Sequence, residues 1–229
     1  MSWRCSGATN SELIDNLLRA KIIRDGRVAT AMKRVDRAAY SSKSPYQDSP
    51  QRIGFGATIS APHMHGYALE WLASHLKPGS KVLDVGCGSG YLTACFAEMV
   101  RGQNGSVYGI DHIEGLVELS RANIRQGNPD LLAEGHVSVS VRDGFVGLSD
   151  QGPFDVIHVG AAAPTLPQEL VTQLAPGGKM VIPVGPDGGA QEILSVTKAA
   201  TTGAIEQSSL MSVRYIPLTT PDKQLKREL

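Results

Sequence analysis

The chain has no surplus of charge of either sign: 22 Lys and Arg stand against 22 Asp and Glu in 229 residues. It therefore lacks the electrostatic footprint of a protein that coats duplexes or lies on membranes. Aromatic residues are scarce at 5%, too few for a base-stacking platform. The three cysteines, Cys5, Cys87 and Cys95, cannot all pair, which reads as free thiols and a cytosolic protein. No apolar run approaches the ~18 residues of a membrane span, and Met1 to Cys5 carry no apolar leader core. Lys226-Arg227-Glu228-Leu229 resembles a retention tail faintly, and without an entry signal it is read as an accident. What is present is 41% hydrophobic residues, which excludes disorder and is ample for a core, and 25 glycines whose placement matters more than their number.

Thr9-Asn10-Ser11-Glu12 has the form of a capping box, with Leu13, Ile14, Leu17 and Leu18 following at helical spacing. Val28, Met32 and Val35 predict a second helix. Tyr40 to Ala61 has no strong period and reads as a long ordered loop, a kind of segment that is often functional. Ser60 with Pro62 in the first turn opens a helix to about Leu76, before Lys77-Pro78-Gly79. Apolar strands are then expected near Val82–Val85, Val107–Ile110, Val137–Val141, Asp155–Val159 and Met180–Val184. Helices near Tyr91–Val100, Gly115–Arg125 and Gln168–Leu174 separate them. This alternation predicts an α/β, doubly wound parallel sheet. Runs at Glu192–Thr197 and Met211–Pro217 lack helices between them and predict an antiparallel edge. With no repeat or linker, one domain is expected: helices and loop over 1–60, a ligand-binding core over 61–190, and strands and tail over 191–229.

Lys81-Val82-Leu83-Asp84-Val85-Gly86-Cys87-Gly88-Ser89-Gly90 ends the first core strand and leads into a helix. Its glycines let the backbone turn tightly and approach a ligand at the strand ends, where open α/β sheets bind. The spacing is G-x-G-x-G rather than the G-x-G-x-x-G of dinucleotide folds, and Asp84 precedes it. An acid there suits a cationic cofactor such as S-adenosylmethionine, whereas a pyrophosphate prefers bare amides at a helix N-terminus. Asp111, ending the next strand, can accept from ribose hydroxyls. Asp143, after the third, can reach an adenine amino group. Each alone reads as a turn residue; three acidic strand ends in succession read as a shared ligand site. His63 and His65 lack a third ligand at metal spacing, so no metal is expected. His158, within an apolar strand, reads as a satisfied core histidine.

Four segments carry a closer resemblance: Ala57-Thr58-Ile59-Ser60-Ala61-Pro62-His63-Met64-His65, the Gly-rich loop, Ile110-Asp111-His112, and Ile157-His158-Val159-Gly160-Ala161-Ala162. Together they resemble the protein-L-isoaspartate (D-aspartate) O-methyltransferases, animal members nearest, from the first helices to Pro217-Leu218-Thr219. Cys87 departs from the usual serine of animal relatives. The resemblance implies a Rossmann-like, S-adenosylmethionine-dependent methyltransferase fold. It implies methylation of the misplaced carboxylate of L-isoaspartyl and D-aspartyl residues in damaged proteins, followed by succinimide closure and return to aspartate. It further implies Ser60 as the active-site hydroxyl, with Thr58 beside it. Cofactor contacts would come from Ala57, Thr58, Ile59, Ser60, His65, Asp84, Gly86, Gly88, Ser89, Asp111, His112, Asp143, Gly144, Thr219 and Gln224. The segment Val213 to Thr219 would lie near the bound peptide. The alternative reading of Ser60 is a helix N-cap.

A nucleic-acid methyltransferase on the same fold would show a basic face, an Asn/Asp-Pro-Pro-aromatic run or paired catalytic cysteines, and none is present. A nicotinamide dehydrogenase is disfavoured by the glycine spacing and Asp84. A cofactor-binding module without transfer activity stays open on sequence alone. The partners expected are isoaspartyl proteins and peptides, met by a monomer, with neither nucleic acid nor membrane involved.

Overall fold

The computed structural model describes residues 5–226. The terminal tetrapeptide, except Lys226, and Met1 to Arg4 lie outside the described residues. In chain order the elements are α1 (Asn10–Arg19), α2 (Gly26–Arg34), a 3-10 turn (Arg37–Ala39), β1 (Gln51–Gly54), β2 (Ala57–Ile59), α3 (Pro62–Leu72), β3 (Lys81–Val85), α4 (Tyr91–Val100) and β4 (Ser106–Asp111). There follow α5 (Glu114–Gly127), α6 (Pro129–Ala133), β5 (Val137–Val141), β6 (Phe154–Val159), α7 (Gln168–Thr172), β7 (Leu174–Val184), β8 (Gln191–Lys198), β9 (Ile205–Val213) and α8 (Pro221–Leu225).

Seven strands form one sheet in the order β5-β4-β3-β6-β7-β8-β9, parallel through β7 and antiparallel in β8 and β9. The chain runs outward from β3 to β5, then returns to pair β6 on the other side of β3. The strand order therefore reverses between β3 and β6, and that crevice is where such sheets take ligands. Strand alternation divides the core between two faces. Val82, Val107 and Val156 pack with α1 to α4, while Leu83, Ile110, Ile157 and Met180 pack with Leu170 and Val171 of α7.

The expected capping box forms at α1. Thr9 accepts from the Glu12 amide, and the Glu12 carboxylate accepts from Ala8 N–H rather than from Thr9 itself. Four expectations need correction. The loop from Tyr40 to Ala61 contains a hairpin, β1 against β2, turning through Gly54-Phe55-Gly56. Ser60 is not a cap, because Ala61 holds that position and no side chain caps α3. That helix stops at Leu72, well before Leu76. The last strand is Ile205–Val213, not Met211–Pro217. Its outer face is solvated and polar, which removes the apolar pattern a sequence reading depends on. Among the described residues no helix is long and apolar enough to cross a membrane.

Candidate active site

A cavity of about 500 Å³ opens at the C-terminal ends of β3, β4 and β6, a volume suited to a small organic molecule. Its floor is the loop after β3. Gly86 and Gly88 adopt φ of 76° and 52°, a region that side-chain-bearing residues avoid. Gly160 seals the β3–β6 crevice: its N–H donates to the Val85 carbonyl, and a Cβ there would stand 3.0 Å from the Gly86 oxygen. A side chain here would push the two strand ends apart by a few tenths of an ångström.

Asp111 stands at the end of β4 and lines the cavity. One carboxylate oxygen accepts from Gly88 N–H and the other from Ile113 N–H, each at 3.2 Å. Each oxygen retains acceptor capacity for a ligand hydroxyl. Burial raises the carboxyl above its usual range, against the lowering by these amide donors. Asp84 is placed differently. It sits in register with His158 of β6, accepts from His158 Nδ1 at 2.8 Å and from the Thr93 hydroxyl at 2.5 Å, and is almost wholly buried. Each of its oxygens is thus engaged once within the protein, and the residue lines a small cavity rather than the main one. His158 is the satisfied core histidine expected of it.

The roof comes from sequence-remote segments. The hairpin delivers Ala57, Thr58 and Ser60 to the cavity wall. The segment after β9 crosses above, anchored where Ala162 N–H donates to the Ile216 carbonyl and Leu218 N–H to the Ala162 carbonyl, at 2.9 and 2.8 Å. Thr219 and Gln224 follow onto the wall. Gln224 ties the roof together: its amide nitrogen donates to the Phe55 carbonyl at 3.0 Å, and its oxygen lies 2.7 Å from His112 Nε2.

Ten of the expected contacts, Ala57, Thr58, Ser60, Gly86, Gly88, Asp111, His112, Gly144, Thr219 and Gln224, therefore meet in this cavity. Ile59, His65, Asp84 and Ser89 instead line a second cavity of about 50 Å³, shared with Thr58, Ser60, Gly86, Gly88, His158 and Tyr215. Asp143 lines neither cavity; it is exposed, and its carboxylate accepts from Phe145 N–H in a local turn. Its neighbour Gly144 reaches the wall of the main cavity.

Two groups were not singled out individually by the sequence. Tyr215 is hydrogen-bonded to Ser60, and burial pushes its phenol up to about 12, with the Ser60 bond acting in the opposite sense. Asp48, its side chain buried, accepts from both His63 N–H and the His63 ring. No spacing rule connects these pairs; only the resemblance placed the segment containing Tyr215 nearby.

The family model for protein-L-isoaspartate(D-aspartate) O-methyltransferase matches residues 8–223. The chain belongs to this family. A Caenorhabditis elegans protein-L-isoaspartate O-methyltransferase is 49% identical over 227 residues, covering 99% of this chain and all of the relative. A Triticum aestivum protein of the same name is 47% identical, covering 95% of this chain and 94% of its own. Among solved structures, a Plasmodium falciparum chain named as a β-aspartate methyltransferase (PCMT) and crystallised with S-adenosyl-L-homocysteine superposes with a TM-score of 0.86. It shares 38% identity and covers 93% of this chain and 99% of its own. The family assignment makes S-adenosylmethionine the cofactor, and the cavity fits it. Glycines whose positive φ brings bare backbone to the floor, a carboxylate with spare acceptor capacity and mixed polar and apolar walls match an adenosine-bearing cofactor.

Proposed function

We propose that this chain transfers a methyl group to the free carboxylate of L-isoaspartyl and D-aspartyl residues in proteins and peptides. The observation that carries this reading is the meeting of the Ala57-Thr58-Ser60 wall, the Gly86–Gly88 floor and Asp111 in one cavity, in a chain whose family match runs nearly end to end.

S-adenosylmethionine, when bound, supplies a methyl carbon made electrophilic by its sulfonium. The chain's task is then geometric. A free carboxylate has a pKa of ~3.3 to 4.3 and is ionised near pH 7, so no general base is required. One C–O bond forms as the C–S bond breaks, and the bonding pair leaves on sulfur. Holding the two reactants in line supplies most of the acceleration. In this reading Asp111 fixes the cofactor's ribose, while Gly86 and Gly88 allow close backbone approach. His112, Thr219 and Gln224 close over it. Thr58 and Ser60 orient the substrate carboxylate by hydrogen bonding, which leaves a carboxylate lone pair available for attack.

The segment from Val213 to Thr219, half-buried along the cavity rim, offers an extended backbone beside which a peptide can lie with little regard to its side chains. The resulting ester recloses to a succinimide without further help from the enzyme. The reading includes a cytosolic monomer, in keeping with three free cysteines, and light scattering tests the monomer. The functional test is conversion: an isoaspartyl peptide incubated with the chain and S-adenosylmethionine is expected to yield aspartyl peptide through succinimide on chromatography. Failure to exceed the rate in a cofactor-free control refutes the proposal.

A further inference from the structure

Arg37 is the largest fully buried side chain of the described residues, at 0% exposure. It arises from the 3-10 turn, far from the strand ends in sequence. Its guanidinium reaches two residues of the site: Nη2 donates to the Ser60 carbonyl at 2.7 Å, and Nη1 lies 3.1 Å from His65 Nδ1. The same group stands over the Tyr91 ring at 5.2 Å, and Nε, also buried, has no hydrogen-bond partner. No carboxylate forms an ion pair with it among the described residues.

A buried cation without an anion costs free energy that a Met or Leu of similar volume would not. The two directed bonds are what it provides in return. A guanidinium can only donate, so His65 Nδ1 must accept, and the neutral ring then carries its proton on Nε2. We propose that Arg37 is a positioning residue for methyl transfer: from behind the wall it fixes the Ser60 backbone and locks His65 as the neutral Nε2–H tautomer. The geometry agrees with the surroundings. His65 and Ser60 line the same small cavity beside Asp84 and His158. Burial, then the Arg37 charge, and then His158 and His63 hold the His65 imidazole well below its usual range. Arg37 itself is drawn down by burial only to about 10 and keeps its charge at neutral pH.

This inference deepens the proposed methyl transfer and rests on it, so its test needs a readout of its own. In the wild-type chain, nitrogen-15 NMR of the imidazoles is expected to show His65 neutral and protonated at Nε2 through the range in which an ordinary imidazole titrates. A His65 that titrates near 6.5, or carries its proton on Nδ1, overturns the proposal whether or not any variant folds. Arg37→Met is expected to lower kcat on an isoaspartyl peptide at least about tenfold, with affinity for S-adenosyl-L-homocysteine within about threefold. The His65 ring in that variant should begin to titrate. Arg37→Lys, which keeps the charge but not the two-pronged fork, should recover part of kcat. A folded Arg37→Met with wild-type kcat overturns the proposal. If instead the wild-type chain fails to methylate the peptide, the functional reading falls, while the tautomer result stands separately.

Discussion

Two aspartates end adjacent parallel strands, and their surroundings make them opposites. Asp84 lies one residue inside the end of β3, where alternation sends it to the same face as Val82, under α4. There Thr93 and His158 take both its oxygens. Asp111 is the last residue of β4, held by two backbone amides and lining the cavity. One carboxylate braces the sheet at its switch point; the other lines the main cavity. A strand-end acid in a Gly-rich motif thus has no fixed role until its register is known.

The comparison makes opposite predictions for the two alanine variants. Asp84→Ala strands the buried His158 and Thr93 donors and is expected to cost about 3 kcal/mol of stability, a drop in Tm of roughly 6–12 °C for a chain of this size. Calorimetry of the ligand-free protein checks it. Asp111→Ala is expected to leave the ligand-free Tm within about 3 °C. Its folded pKa is raised by burial, so any stability it contributes is present below the unfolded pKa and lost as pH rises through the folded one. At pH 7 the ionised group is a net cost to folding, and removing it relieves that cost. The loss should fall on the cofactor instead, about 1.5–3 kcal/mol of affinity by titration calorimetry. If both variants lose mainly stability, or both mainly affinity, the distinction fails.

Smaller effects sharpen the same contrast between bracing and binding. Ser60→Ala is expected to lower turnover severalfold while moving cofactor affinity less, because the hydroxyl is paired with Tyr215 and caps no helix. Equal changes in both would return Ser60 to a purely structural part. The pH dependence of stability should be acid-sided. The folded pKa of His65 lies well below its unfolded value of 6.5, so this contribution is intact above about 6.5 and lost as pH falls, by up to ~1.4 kcal/mol per unit. Urea midpoints at pH 7 and 5 measure it, and a flat profile would contradict the buried neutral ring.

The floor of the cavity was legible because its construction is local. Gly86, Gly88 and Asp111 are fixed by strand, turn and helix within one βαβ succession, and periodicity locates such units. The parallel strands were legible for the same reason, being apolar on both faces. The burial of Asp84 is readable from its shared parity with Val82. The hairpin escaped notice because Gly54-Phe55-Gly56 breaks the alternation and β2 has only three residues. Arg37 and Tyr215 escaped because their partners lie far away in sequence, and an arginine beside Ala38 and Ala39 reads as a solvated charge. Tertiary packing alone turns it inward.

The most direct measurement places matched aspartyl and isoaspartyl peptides in one tube with the chain and S-adenosylmethionine labelled in its methyl group. Label partitioning almost wholly into the isoaspartyl peptide, as a base-labile ester, is the result this account predicts. Equal labelling of the two isomers, or none of either by a chain that still binds S-adenosyl-L-homocysteine, would contradict it.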